Sequence, residues 1–329
     1  MRPIGVSKFC LIIFALAISS SMKAAPPFSG TIFLDPDIIT ADDPTAFTAV
    51  TEAGRGDRWM FDRRVNDWVY LNAFLFDATF DDGLTIEIQV NPEFGDTASA
   101  LEEATKYAPV IGRLPSCLRA DVETVWIHRG NMPFGGGNNN LLIHTGQADR
   151  YEGSGILEET LVHEASHTSL DAEHSSSPGW LSAQAMDGEF ISTYARDNPI
   201  REDVAESFLL YLAVRHRSDR ISQSLADTIS QTIPHRISYF DDQDLNLYPL
   251  VAPKPIIIRS LSHIQEGWLL SWESRESRSY TVYMSTNLID WTPLFSDVES
   301  QGSVTNLNID TRIHRLPSVS TFFQIRERP

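Results

Sequence analysis

The pentapeptide His163-Glu164-Ala165-Ser166-His167 lies within a stretch over 156–169 that reads as a helix. On a helix, positions i and i+4 share a face, so His163 and His167 present two imidazoles to a single ion. Glu164 stands beside them, placed to take a proton from water that the metal activates. A chain carrying this pattern has to fold so that a third ligand arrives from another element.

His174 is one candidate for that ligand. The extended motif with a third His requires Gly and then His at fixed offsets, and here Leu170 and Glu173 occupy those positions. The register is off by one, which leaves His174 as a loop residue near the site. Glu202 is the better candidate. In Glu202-Asp203-Val204-Ala205-Glu206 the two Glu residues are again i and i+4, opposite an apolar side made by Val204, Phe208, Leu209 and Leu212. One carboxylate is then free to ligate while the other accepts the outer N–H of a ligand imidazole. Acidic pairs on a helix face are usually only solvated charge, and this one gains weight from the motif upstream. Two imidazoles and a carboxylate suit Zn2+, which keeps a fourth position open for water.

Three segments together carry a family resemblance: His163 to His167, Tyr194-Ala195-Arg196-Asp197-Asn198, and Glu202-Asp203-Val204-Ala205-Glu206-Ser207-Phe208. They resemble the catalytic domain of the anthrax-lethal-factor type of gluzincin metallopeptidase. The resemblance is at the level of motifs and spans roughly 97–233. It implies Glu202 as third zinc ligand, Glu206 as the carboxylate behind a ligand imidazole, and Tyr194 as the donor to the oxyanion. The chain departs by about one extra residue between the Tyr and the Glu. The resemblance also implies a zincin-like fold in which substrate lies extended along an edge strand above the metal, and the run over 140–145 is the strand expected to do this.

The expected fold class is α+β: a zincin-like metallopeptidase domain over 26–240, with a mixed sheet and metal-bearing helices, followed by a small all-β sandwich. Within the first domain, residues 30–95 read as strands, at 31–34, 69–80 and 84–90, with a hairpin turn at Asp81-Asp82-Gly83. A helix over 97–111 follows, then apolar runs at 125–127 and 141–143 separated by the glycine- and asparagine-rich loop 135–140. Further helices are expected over 203–215 and 218–233. The segment 241–255, rich in Asp, Asn and Pro, reads as a linker. Residues 256–329 form short strands that resemble the C-terminal β-sandwich module of many secreted bacterial proteins, which implies association with a surface or glycan.

Residues 1–25 carry Arg2 and Lys8, an apolar run and then small residues, the order of a secretory signal peptide. The expected location is therefore secreted: extracellular, or periplasmic in a Gram-negative bacterium. No stretch is long enough to be a transmembrane segment. A formal net charge of −18 without a basic run argues against nucleic acid as a partner. Cys117 is left as a lone, buried small hydrophobe once Cys10 departs with the signal. Asp241, Asp242, Asp244 and Asn246 lack the Gly and Glu of a calcium loop and read as polar linker. His128 and His144 read as plain strand-end residues. The expected activity is hydrolysis of a peptide or protein substrate, with Glu164 as general base. The alternative is a catalytically silent zincin-fold protein that binds or adheres through its β-sandwich.

Overall fold

The structure is a computed structural model that describes residues 25–252, 255–310, 312–313 and 320–327. The expected signal segment, apart from its last residue, lies outside the described residues. Strands β1 (Phe47–Asp62) and β2 (Asp67–Phe80) form a long antiparallel hairpin, and β3 (Thr85–Val90) pairs antiparallel with β2. The expected turn at Asp81-Asp82-Gly83 joins β2 to β3, with Gly83 at φ +91°, a conformation glycine reaches without strain. Helices α1 (Thr97–Gly112) and α2 (Ser116–Arg119) cross over to β4 (Thr124–His128), which lies parallel to β3. Then come β5 (Gly135–Gly137) and β6 (Asn140–His144). The result is a six-stranded mixed sheet of order β1-β2-β3-β4-β6-β5, with β6 parallel to β4 and β5 antiparallel to β6 at the edge.

Side-chain alternation gives this sheet two apolar faces. Phe74, Phe76, Ala78, Ile88, Ile127 and Ile143 point to the helical side and join the main core. Met60, Ala73, Leu75, Trp126 and Leu142 form a second cluster on the opposite side. Strands β4 and β6 are buried along nearly their whole length, as near-continuous apolar runs in the parallel part of a sheet require. Helix α1 starts where the Asp96 carboxylate accepts the Ser99 N–H at 2.8 Å, which satisfies one otherwise open donor of the first turn.

The chain then becomes helical: α3 (Thr145–Gly153), α4 (Leu157–Ser169), α5 (Asp171–His174), α6 (Pro178–Asp187), α7 (Thr193–Asp197), α8 (Asp203–His216), α9 (Gln223–Thr232) and α10 (Pro234–Asp241). Helix α4 touches β5 and β6 on one side and α8 on the other, and most of its residues are buried.

Several expectations need correction. Residues 31–34 are not a strand, and β1, whose glycines and charges hide its character, was not expected at all. The run over 140–145 is not an edge strand: β6 lies inside the sheet, and the edge is β5, in what reads as a loop. Asn138 and Asn139 both have positive φ, the signature of a two-residue turn whose twist suits a hairpin, so 135–144 is a hairpin with a glycine strand. Helix α3 also separates β6 from the motif helix. The helical stretch over 218–233 is a short 3-10 turn followed by α9. In the segment read as linker, Leu247 and Leu250 are buried in the main core.

Beyond it, β7 (Ile258–Ile264), β8 (Gly267–Glu273), β9 (Ser279–Ser285), β10 (Thr292–Glu299), β11 (Val304–Asp310) and β12 (Phe322–Glu327) form two three-stranded antiparallel sheets, β11-β8-β7 and β10-β9-β12. Leu270, Trp272 and Ile309 of one meet Tyr280, Val282 and Ile325 of the other in a single core. Among the described residues no helix is long and apolar enough to cross a membrane.

Candidate metal centre

The helical period places His163 and His167 one turn apart on α4, with ring centroids 4.8 Å apart and ring planes nearly perpendicular. Glu202, immediately before α8, joins them. Its backbone carbonyl accepts the Glu206 N–H, so Glu206 stands one turn further along. His163 Nε2 and His167 Nε2 are 3.2 Å apart, and Glu202 Oε2 lies 3.5 Å from the first and 3.1 Å from the second. Four ligands at about 2.0–2.1 Å from a tetrahedral ion stand roughly 3.3 Å from one another. The three atoms are thus spaced as ligands of one ion, and among the described residues this is the one group of three or more His, Cys, Asp or Glu side chains able to hold a metal.

The surroundings argue the same way. His167 Nδ1 lies 2.8 Å from Asp171 Oδ2, which holds a ring proton on Nδ1 and turns Nε2 inward. His163 Nδ1 faces Glu206 Oε1 at 3.5 Å, a charge contact rather than a formed hydrogen bond. Glu202 Oε2 is buried without a hydrogen bond of good geometry, as expected where lone pairs face a common point. The two Nε2 atoms and the carboxylate oxygen face one buried point, where a proton or a metal ion offsets the cost of bringing them together. Burial opposes a charge on His167, yet Asp171 and Glu202 outweigh it and push its pKa up to about 10. Burial likewise opposes charge on Glu202, but His163, His167 and the Tyr194 phenol hold it well below the usual carboxylate range. The carboxyl groups of Glu202, Asp171 and Glu206 thus surround the two imidazoles, a setting that suits a divalent ion.

Helix α8 is held at the end that carries Glu202. Arg236 of α10, fully buried, donates to Asp203 at 2.9 Å and to Asp187 at 2.9 Å, and Gln184 donates to Asp203 at 3.1 Å. On the other side of α4, Thr168 Oγ1 donates to the Asn140 carbonyl at 2.9 Å and accepts the Gly137 N–H at 2.8 Å, which fastens β5 and β6 to the motif helix. Gly136 rests directly on that helix: a Cβ there would lie 1.8 Å from the Glu164 carbonyl oxygen.

Of the residues singled out in the sequence, His163, His167 and Glu202 converge, with Glu206 behind His163. Tyr194, on α7, is near enough to Glu202 that burial, with that carboxylate beside it, pushes its phenol pKa up to about 12, so it remains a proton donor at neutral pH. Glu164 is half-buried on the same helix. His174 is turned away from the group, its Nδ1 2.7 Å from the Tyr239 hydroxyl. His128 and His144 form a buried stacked pair, with Asn91 on His128. Cys117 is half-buried against the main core.

Sequence reasoning missed three supporting residues. Asp171 was findable, as the carboxylate four residues beyond His167. Thr31 and Ser192, whose hydroxyls donate to the two oxygens of Glu206, gave no local signal. Comparison of the chain with protein-family models, with curated proteins and with solved structures finds no match.

Proposed function

We propose that the chain is a secreted zinc peptidase of the gluzincin kind, built on a zincin-like domain and hydrolysing peptide bonds. The observation that carries this reading is the convergence of His163 Nε2 and His167 Nε2, from a helix that also bears Glu164 and lies against a sheet edge, with Glu202 Oε2 from the start of α8, at 3.1–3.5 Å. The donor set of two imidazoles and one carboxylate is that of zinc sites that keep a position open for water and substrate. Zinc bound there supplies Lewis acidity, polarising a carbonyl and lowering the pKa of water toward neutrality.

The remaining work falls to side chains of this chain. Asp171 and Glu206 fix the orientation of the two rings from behind. Glu164, adjacent to His163 in sequence and shared by no ion pair among the described residues, takes the proton of the attacking water and returns it to the leaving amine. Tyr194, about two-fifths exposed and protonated at neutral pH, donates to the oxygen on which negative charge develops. The free edge of β5 offers backbone groups to an extended peptide, in the manner of strand addition. Retention of Glu164 favours catalysis over a silent metal-bearing scaffold, which has no use for that base.

Zinc content of the purified protein and of Glu202→Ala, followed by cleavage of a peptide library by wild type and Glu164→Gln, tests the reading. One zinc per wild-type chain, sharply less in Glu202→Ala, and zinc retained without turnover in Glu164→Gln are the expected results. A wild-type chain that takes up no zinc, or a Glu164→Gln chain that cleaves normally, refutes it.

A further inference from the structure

Strand β5 has two faces. Gly136 turns the one on which a Cβ would stand toward α4 and the Glu164 carbonyl, while at Gly135 the same position points to the opposite side and meets Arg63 Nη2 at 2.9 Å. That opposite side opens into a hollow of about 230 Å³. Its floor is the glycine strand itself, and its walls are Phe61, Trp68, Trp126 and Leu142, with Arg63 at the rim. The rings support one another edge to face, Phe61 on Trp68 at 5.8 Å and Trp68 on Trp126 at 5.2 Å, and Trp68 remains 45 % exposed.

Two polar groups of this hollow have no partner, although the Asn140 amide, also in its lining, donates to Thr124. Arg63 Nε and Trp126 Nε1 are both buried without a hydrogen bond, and Arg63 takes part in no ion pair among the described residues. Its neighbour Arg64 is instead bonded to both Asp62 and Glu93 at 2.7 Å, which pins the turn that carries Arg63. Arg63 thus combines a buried, unpartnered Nε with a place at the hollow, and a guanidinium so placed suits a carboxylate.

A peptide extended along the free edge of β5 turns alternate side chains to opposite faces of the sheet. One face of the strand looks to α4, the helix that bears His163, Glu164 and His167, and the other looks to the hollow. We propose that the hollow is a subsite for a carboxylate-bearing residue of such a peptide, with Arg63 taking the carboxylate and the Phe61, Trp68 and Trp126 rings covering its stem. The carboxylate belongs either to an acidic side chain or to the C-terminus of the peptide. The assignment of that peptide as a substrate rests on the peptidase reading, but its binding does not.

The test is equilibrium binding of blocked hexapeptides, read by tryptophan fluorescence, to the full chain stripped of metal so that turnover plays no part. Peptides with a single Glu scanned through the sequence are compared with Gln counterparts, and an apolar peptide with a free C-terminus is compared with its amide. The expected result is at least one Glu position, or the free C-terminus, that binds about tenfold more tightly than its neutral match, with an advantage that falls as salt is raised. Arg63→Ala should abolish that advantage and Arg63→Lys keep part of it, both with unchanged melting temperature. Equal binding of acidic and neutral peptides, no binding at all, or an advantage that survives in Arg63→Ala overturns the proposal. An Arg63-dependent preference in a chain that cleaves no peptide after zinc loading would leave the subsite standing and remove the peptidase reading. Cleavage without such a preference would do the reverse.

Discussion

Gly136→Ala isolates the contact on which the edge strand depends. Gly136 does not have a positive φ, so alanine meets no backbone strain there, and by limiting the unfolded chain it should add about 0.4–1 kcal/mol of stability. The added methyl carbon, however, falls 1.8 Å from the Glu164 carbonyl oxygen, and real contacts hardly ever come under 3.0 Å. The obstacle is backbone in the middle of a buried helix and cannot swing aside, so β5 has to retreat by about 1.2 Å at least. Forced overpacking of this kind costs about 1–3 kcal/mol, which outweighs the entropic gain. The expected net result is a melting temperature lower by a few degrees, at roughly 2–4 °C per kcal/mol for a domain of this size. Catalysis should suffer more. A displacement of about 1 Å in the element that positions substrate is worth on the order of 100-fold in turnover. Zinc content should stay at one per chain, because no ligand lies on β5. Calorimetry, metal analysis and peptide cleavage on the one variant separate the three effects. A Gly136→Ala protein with wild-type stability and wild-type cleavage would mean that β5 is not seated on α4 as described, and the account of the edge would fall with it.

Asp171→Asn leaves the His167 ring without its carboxylate, and zinc affinity measured by chelator competition should drop about 10- to 100-fold with little change in melting temperature; unchanged affinity would show that Asp171 does not orient the ligand. Glu159 is fully buried on α4, where Oε1 accepts the Ile39 N–H at 2.8 Å and Oε2 has no partner, and burial raises its pKa from 4.5 to about 7. A carboxyl group whose pKa is raised by folding contributes stability below its unfolded pKa and loses it as pH climbs through the folded one, a change of about 3 kcal/mol between pH 4.5 and 7. Glu159→Gln should therefore flatten the pH dependence of stability over that window and melt higher than wild type at pH 8; parallel curves for the two proteins would refute the assignment.

The candidate metal ligands were legible because they depend on local geometry. Any helix brings i and i+4 to one face, so His163 with His167 and Glu202 with Glu206 announce themselves before any tertiary contact is known. Residues that act only through a distant approach were not legible. Thr31 and Ser192 sit in stretches without periodic pattern, and only the fold carries them to Glu206. Strand β1 was hidden by glycines and charges that strands usually avoid, and its partner β2 supplies the pairing that propensity did not. Strand β5 was hidden more deeply, since three consecutive glycines followed by asparagines carry every local mark of a loop. The same composition that conceals this strand lets it lie on the backbone of α4, where any side chain at position 136 would hold it away. A glycine run beside a helix that carries candidate metal ligands is thus better read by asking what its missing side chains permit, and here they permit a sheet edge pressed against the residue proposed as the general base.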